Sequence, residues 1–445
     1  MNKVAKNASW IIACRIVQAV FALIINMLTA RYLGPSNYGL ITYAASLVAF
    51  VVPIMHLGFS NILVQEIVNN PENEGKTLGT SICLSLFSSV CCIIGVTVFA
   101  AVANHDEPVT VLVCLLHSLL LIFQALELML YWFQAKYLSK YTSVVSLCAY
   151  LVVSAYKIYL LVAAKSIYWF AVSTAFDYAL IVIGIFIIYR KLGGQKLSIS
   201  LALGRQMFSR SKHYILSSMM VTIFAQTDKI MIKLMIGEAA TGHYGAAVAC
   251  AGLTSFVFTA IIDSFRPSVF EGQKIGREVF ERRLTQLYSI VIYLSLLQSV
   301  FMTLLAKPIV SILYGSAYAP AILALKIVVW YMTFSYMGSV RNIWILANSL
   351  QHYLWKINLL GALSNIALNA VLIPVIGIYG AAVASLITQF FTNVIVGYLI
   401  KPILPSNRIM IESLKPKWVL GLARGVLKRA PEISTTQNKQ NLDGK

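Results

Sequence analysis

The feature that most limits what this chain can fold into is a succession of apolar stretches, each long enough to cross a bilayer, recurring from Ala8 to Ile400. A hydrocarbon core of about 30 Å needs roughly 20 residues of helix. Lipid tolerates only helices or closed barrels, because nothing else satisfies every backbone polar group internally. Runs at residues 8–30, 38–63, 78–103, 109–133, 142–164, 167–190, 213–236, 243–265, 284–306, 318–346, 353–374 and 377–400 meet that length. The expectation is an all-α integral membrane protein with about twelve transmembrane helices. At 59% hydrophobic and 11% charged residues, a soluble domain of this size would aggregate. The first run carries Arg15 and lacks a small-residue cleavage site, so it reads as a retained helix rather than a signal peptide.

The formal net charge of +19 would suit a nucleic-acid binder if the cations were gathered for it. Their distribution says otherwise. With the N-terminus inside, 27 of the 35 Lys and Arg fall on the cytoplasmic side, with Arg190, Arg341 and Lys356 counted as inner helix ends. Three are external (Arg31, Lys165, Lys307) and five lie within helices. That asymmetry places both termini in the cytoplasm. The basic segments from Arg190 to Lys212, Arg266 to Arg283 and Lys401 to Arg429 read as retained loops that can also touch lipid head groups, and nucleic acid is excluded as a partner. The seven cysteines all fall inside apolar runs without metal spacing and read as packing residues, so neither a metal nor a cofactor is expected.

Two stretches echo each other. Ala30-Arg31-Tyr32-Leu33-Gly34-Pro35-Ser36-Asn37-Tyr38-Gly39 is matched by Ile236-Gly237-Glu238-Ala239-Ala240-Thr241-Gly242-His243-Tyr244-Gly245, each a turn between two long apolar runs. Gly34 and Gly237 suit a positive-φ cap, and Pro35 suits the start of the next helix. Repeated halves are a common design for membrane transporters. The expected organisation is an N-terminal six-helix bundle over residues 1–190, a cytoplasmic linker over 191–212 with an amphipathic surface helix near 201–208, a C-terminal six-helix bundle over 213–400, and a basic, partly disordered tail over 401–445.

The turn Arg31-Tyr32-Leu33-Gly34-Pro35, with Tyr38-Gly39 after it, and the later Thr227-Asp228-Lys229-Ile230 before Ile236-Gly237, resemble the polysaccharide flippases of the multidrug/oligosaccharidyl-lipid/polysaccharide (MOP) exporter superfamily, and within it the Wzx-type O-antigen flippases. That resemblance implies two pseudo-symmetric bundles opening alternately to each side, as in the MATE-like fold. It implies a substrate of undecaprenyl-diphosphate-linked oligosaccharide for lipopolysaccharide or related surface polysaccharide, a place in the bacterial inner membrane, and H+ or Na+ as coupling ion in an antiporter cycle. A polysaccharide polymerase and a chain-length regulator are the implied protein partners.

The residues themselves place polar stripes on otherwise apolar helices. One face of the first helix carries Arg15, Gln18 and Asn26; the fourth carries His117, Gln124, Glu127, Tyr131 and Gln134; the fifth carries Ser143, Ser146, Tyr150, Ser154 and Lys157. The seventh carries Ser218, Thr222, Gln226, Lys229 and Lys233, and Asn365 lies on the eleventh. Each buried ion costs about 2.5–3.5 kcal/mol on the lenient insertion scale, so Arg15, Glu127, Lys157, Asp177, Asp228, Lys229, Lys233, Asp263 and Lys326 need either mutual pairing or a hydrated cavity. Both readings stand at this point. A cavity lined by cations, amides and hydroxyls suits a diphosphate joined to sugars. Arg15, Lys157, Lys233 and Lys326, with Lys229, Gln226, Asn26 and Asn365, are the candidate substrate contacts; Glu127, Asp177, Asp228 and Asp263 are the candidate ion-coupling acids. His117 reads as a satisfied hydrogen-bonder, Trp132, Trp169 and Trp344 as interface anchors, and Gly95, Gly184, Gly361 and Gly397 as sites of close helix contact or bending.

Three alternatives are weighed. A multidrug exporter of the same superfamily would need an acidic, aromatic cavity, whereas intramembrane cations outnumber anions here. A lipid II flippase would be expected to carry two further helices. A membrane polymerase or glycosyltransferase would present a large external or cytoplasmic segment or a metal or nucleophile motif, and the sequence shows neither.

Overall fold

A computed structural model describes residues 3–418, with the backbone alone for residues 3–13, 15, 16, 61 and 217. Among the described residues the chain is helical, and eleven helices are long and apolar enough to cross a membrane. They are α1 (Val17–Met55), α2 (Pro71–Ala103), α3 (Pro108–Ala135), α4 (Ser139–Val162), α5 (Ile167–Lys191), α6 (Leu201–Met235), α7 (Glu238–Ile275), α8 (Arg277–Leu304), α9 (Ala321–Ala347), α10 (Gln351–Ile376) and α11 (Ile378–Leu399). At 1.5 Å per residue, α1 is about twice the length one crossing needs. It is two helices joined at Gly34, whose backbone leaves the helical region at φ 71°, ψ 173°. Their outward faces are apolar: Val102 is 78% exposed, and Phe87, Leu297 and Val375 are exposed with it. So much uncovered hydrocarbon belongs against lipid rather than water.

The two echoed turns meet. A Cβ on Gly39 would lie 1.8 Å from the Glu238 carbonyl oxygen, and one on Gly242 would lie 2.0 Å from that of Pro35. Only a residue without a side chain allows backbone so close to backbone. Gly237, like Gly34, holds a positive φ, here 131°.

The connection after α5 differs from expectation. The amphipathic segment and the seventh helix form one continuous helix, α6, whose start is capped by the Ser200 hydroxyl accepting from the Leu203 amide. No proline or unfavourable backbone interrupts residues 201–235, and a helix once nucleated propagates. The irregular segment 192–200 is laced onto α2: the Gln195 side chain accepts from the Gly75 amide at 3.0 Å and donates to the Pro71 carbonyl at 2.9 Å.

The chain forms two compact units that interleave along the sequence. The first holds Met1–Ala247, Val310–Ile322 and Ala362–Ala381; the second holds Val248–Ile309, Leu323–Gly361 and Ala382–Lys445. In the first, Phe59, Leu63, Leu78, Trp132, Phe133 and Tyr189 pack one apolar core, and Tyr43, Leu47, Val96, Val113 and Phe170 pack another. In the second, Phe258 stacks on Tyr336 at 4.0 Å within a core that includes Leu284, Tyr288, Val340 and Trp344. Trp132 and Trp344, expected at the interface, are core residues instead, because each sits where neighbouring helices close over it; Trp169 is exposed as expected.

Candidate functional site: a polar cavity and its buried charges

Three of the sequence-predicted stripes converge in the first unit. A cavity of about 390 Å3 is lined by Cys14 and Gln18 of the first helix, Leu130 and Gln134 of α3, and Ser139, Thr142, Ser143 and Ser146 of α4. The Thr142 and Ser143 hydroxyls each donate to the Ser139 carbonyl, at 2.9 Å. Such oxygens and amides offer donors and acceptors together, which is what a sugar hydroxyl requires. Arg15, expected to line a central cavity between two bundles, has a side chain outside the described residues.

Farther along the same helices lies a charged cluster. Glu127 occupies a short 3-10 turn, Glu127–Met129, that interrupts α3. Lys157 of α4 and Asp177 of α5 interact electrostatically, and so do Glu127 and Asp177. Gln124 donates to the Tyr178 hydroxyl at 2.9 Å beside them. The cluster has spare capacity: Asp177 Oδ1 and Gln124 Oε1 are buried without a hydrogen-bond partner among the described residues. His117 is buried with Nδ1 3.3 Å from the Ala171 carbonyl, the satisfied role expected of it.

A second cluster surrounds Asp228 of α6. The Tyr244 hydroxyl donates to Asp228 Oδ2 at 2.5 Å, Asn369 Nδ2 donates to Oδ1 at 2.7 Å, and the same Asn369 nitrogen lies 3.1 Å from Asn365 Oδ1. Asp228, Asn365 and Asn369 are all buried. Here Asn365 is part of the setting of an acid rather than a lone sugar contact. The next residue, Lys229, interacts electrostatically with Asp228, and its Nζ donates to Gln226 Oε1 at 3.0 Å.

Other predicted residues stand apart from these clusters. Lys233, its side chain 1% exposed, is held by Glu107 at 2.6 Å and Glu238 at 3.7 Å where α3 and α7 begin. This is the mutual-pairing reading, and it occupies the ammonium expected to meet a diphosphate. Hydrogen bonds from Lys233 and then Thr110 hold the Glu107 carboxyl below the usual carboxylate range. Asp263 pairs with Arg266 at 3.0 Å on an exposed face, as i, i+3 neighbours do. Asn26 and Lys326 are exposed.

The sequence reading missed Arg341, counted as a cytoplasmic helix end. It is 2% exposed in the second unit. Its Nη1 donates to the Thr392 carbonyl at 3.0 Å, while Nη2 donates to the Asn393 carbonyl and, at 2.7 Å, to Asn407 Oδ1. Thr392 and Asn393 belong to a π-helical turn, Phe391–Ile395, within α11, and Asn407 to the short helix Leu404–Glu412. A π-turn leaves carbonyls out of register, and the forked guanidinium takes them up. Spacing gave no signal, because the three acceptors, two backbone carbonyls and the Asn407 amide oxygen, lie far along the chain.

The chain belongs to the family described as "Polysaccharide biosynthesis protein", whose profile matches residues 4–273. Among solved structures it is similar to a lipid II flippase, MurJ, in an inward closed conformation (TM-score 0.70, 15% identity, 92% of each chain covered). It is also similar to an inward-facing multidrug resistance MATE transporter of the MOP superfamily (TM-score 0.68, 12% identity, 89% of this chain and 96% of that one). A MOP superfamily transporter from Pyrococcus furiosus, titled for the reverse polarity of its binding pocket, matches at TM-score 0.51 and 14% identity over 93% of this chain and 96% of that one. No curated protein sequence matches. At these identities the structural likenesses establish the fold.

Proposed function

We propose that this protein is a flippase that moves polyprenyl-diphosphate-linked oligosaccharide across the bacterial cytoplasmic membrane by alternating access, with both termini in the cytoplasm. The observation that carries the reading is the convergence of Gln18, Gln134, Ser139, Thr142, Ser143 and Ser146 on one cavity, with Lys157 farther along one of the same helices, in a chain of a polysaccharide-biosynthesis family. Hydroxyls and amides suit the saccharide; the ammonium suits the diphosphate. Arg15 and Lys229 are the further cations proposed for the diphosphate, while Lys233 is assigned to structure. Asp228 is the best-equipped coupling acid, because gain or loss of H+ or Na+ there would rearrange the Tyr244 and Asn369 contacts; Glu127 and Asp177 form a second candidate. A differential affinity of that kind between two states is what lets an ion gradient drive the cycle.

The test is transport of fluorescently tagged undecaprenyl-diphosphate-linked saccharide in proteoliposomes. The reading predicts movement that depends on the protein and falls about tenfold or more on replacing Lys157 with Ala. Equal activity of wild type and empty vesicles overturns it, and efflux of organic cations instead of the glycolipid would favour the multidrug exporter.

A further inference from the structure

We infer that the first unit carries a separate binding site for a polyisoprenoid chain, a cavity of about 440 Å3 lined by Leu47, Phe50 and Val51 of α1, Gly95, Val96 and Phe99 of α2, and Thr227 and Ile230 of α6. This inference rests on the flippase reading above and adds to it the place where the lipid tail is held. The volume lies within the roughly 300–1,000 Å3 of ligand pockets. Its floor is buried at Leu47, Val96 and Thr227, and its rim is open at Phe99, which is 44% exposed.

Every lining group is apolar in effect. Thr227 is the single polar residue among them, and its hydroxyl is turned back onto the Ile223 carbonyl at 2.6 Å. An apolar cavity gives water too few partners to be filled by it, so hydrocarbon is its natural occupant.

Gly95 supplies an independent observation. Most glycines here either hold a positive φ or touch a neighbour: a Cβ on Gly184 would meet Val145 at 2.7 Å, one on Gly361 Thr392 at 2.9 Å, and one on Gly397 Asn407 at 2.1 Å. Those three fit the close-contact role expected of them. A Cβ on Gly95 would meet nothing within 4 Å, and its backbone is ordinary helix. Glycine inside a helix costs about 1 kcal/mol relative to alanine, so neither packing nor turn geometry explains this one. The space itself does.

The occupant is the isoprenoid tail of the substrate because of what borders the cavity. On α6, Gln226 lies one turn from Ile230 and holds the Lys229 ammonium at 3.0 Å, so a cation stands beside the apolar wall. A chain seated between Phe50 and Phe99 has a diphosphate partner within a turn of helix. Gly95, Phe99 and Ile230 all lie toward the Ala103 and Met235 ends of their helices, the outer-leaflet side in the proposed orientation, so the tail is held there as the head group crosses.

The experiment places p-benzoylphenylalanine at position 99 and irradiates the protein in phosphatidylethanolamine–phosphatidylglycerol vesicles containing tritiated undecaprenyl diphosphate. A saturable cross-link to the isoprenoid is expected, reduced about tenfold when Gly95→Trp fills the cavity. Val102→Trp on the lipid face should leave it unchanged. Cross-linking to phospholipid alone, or an isoprenoid cross-link insensitive to Gly95→Trp in protein that is still folded by thermal melting, overturns the proposal. The flippase reading is judged separately: a cross-link that behaves as expected in protein inactive in the vesicle transport assay keeps the tail site and removes the transport function.

Discussion

Two cationic sites in this membrane protein, one buried and one half-buried, are built on opposite plans. Arg341 in the second unit donates through both terminal nitrogens to two carbonyls of a π-turn and one amide oxygen of a following helix, with its Nε alone left unpartnered among the described residues. In the Glu127, Lys157 and Asp177 group of the first unit, Lys157 attracts Asp177 while the two carboxylates oppose each other, and one buried Asp177 oxygen has no hydrogen bond among the described residues. A buried charge whose donors are mostly spent on the chain's own backbone fixes architecture. One that retains capacity is free to meet a ligand or an ion, and that difference assigns their roles more reliably than burial does.

The largest expected effect tests the first half of this contrast. Arg341→Ala strips three acceptors of their donor, and thermal unfolding in detergent should report a loss of about 3 kcal/mol. Arg341→Lys should recover little of it, since an ammonium cannot span the same fork. Unchanged stability would mean that the π-turn does not depend on the guanidinium. Lys157→Ala tests the other half: glycolipid transport should fall about tenfold or more with the melting temperature nearly unmoved, a loss of roughly 1.4 kcal/mol in the transport step. If stability falls instead and transport persists, the two sites are of one kind.

The Glu107–Lys233 pair is an intermediate case, fully paired yet with a carboxylate 44% exposed. Glu107→Gln should cost about 1 kcal/mol, discounted for solvent screening and for the remaining Glu238 contact. The pH dependence has a definite sign. A carboxyl whose folded pKa is depressed adds stability that is present above its unfolded pKa and lost as pH falls through the folded one. Wild type should therefore melt higher than Glu107→Gln at neutral pH, and the two should converge in acid. The smallest effect concerns the apolar counterpart: Gly95→Ala adds a methyl in open space and should raise stability by about 0.5–1 kcal/mol. A drop would show that the helix closes over that position.

The polar stripes on the first, fourth and fifth helices could be read directly, because helical periodicity puts Gln134, Ser143 and Ser146 on inward faces before any contact is known. Pairing could not. Lys229 and Lys233 sit four residues apart on one helix, yet one bonds Gln226 and the other Glu107, a residue 126 positions away. Hydropathy gave Arg341 as a helix end because it sees composition within a window, and the acceptors of that side chain lie 51 to 66 residues further on.

What the sequence determined alone is the set of membrane-crossing helices, the break at Gly34 and the echo of that break near Gly237, all consequences of local hydrophobicity and of backbone that only glycine and proline permit. Which charges are satisfied and which are held in reserve was decided by tertiary structure. The cost of an ion in a low-dielectric interior depends on the few groups within hydrogen-bond reach, and folding brings those groups from distant parts of the chain.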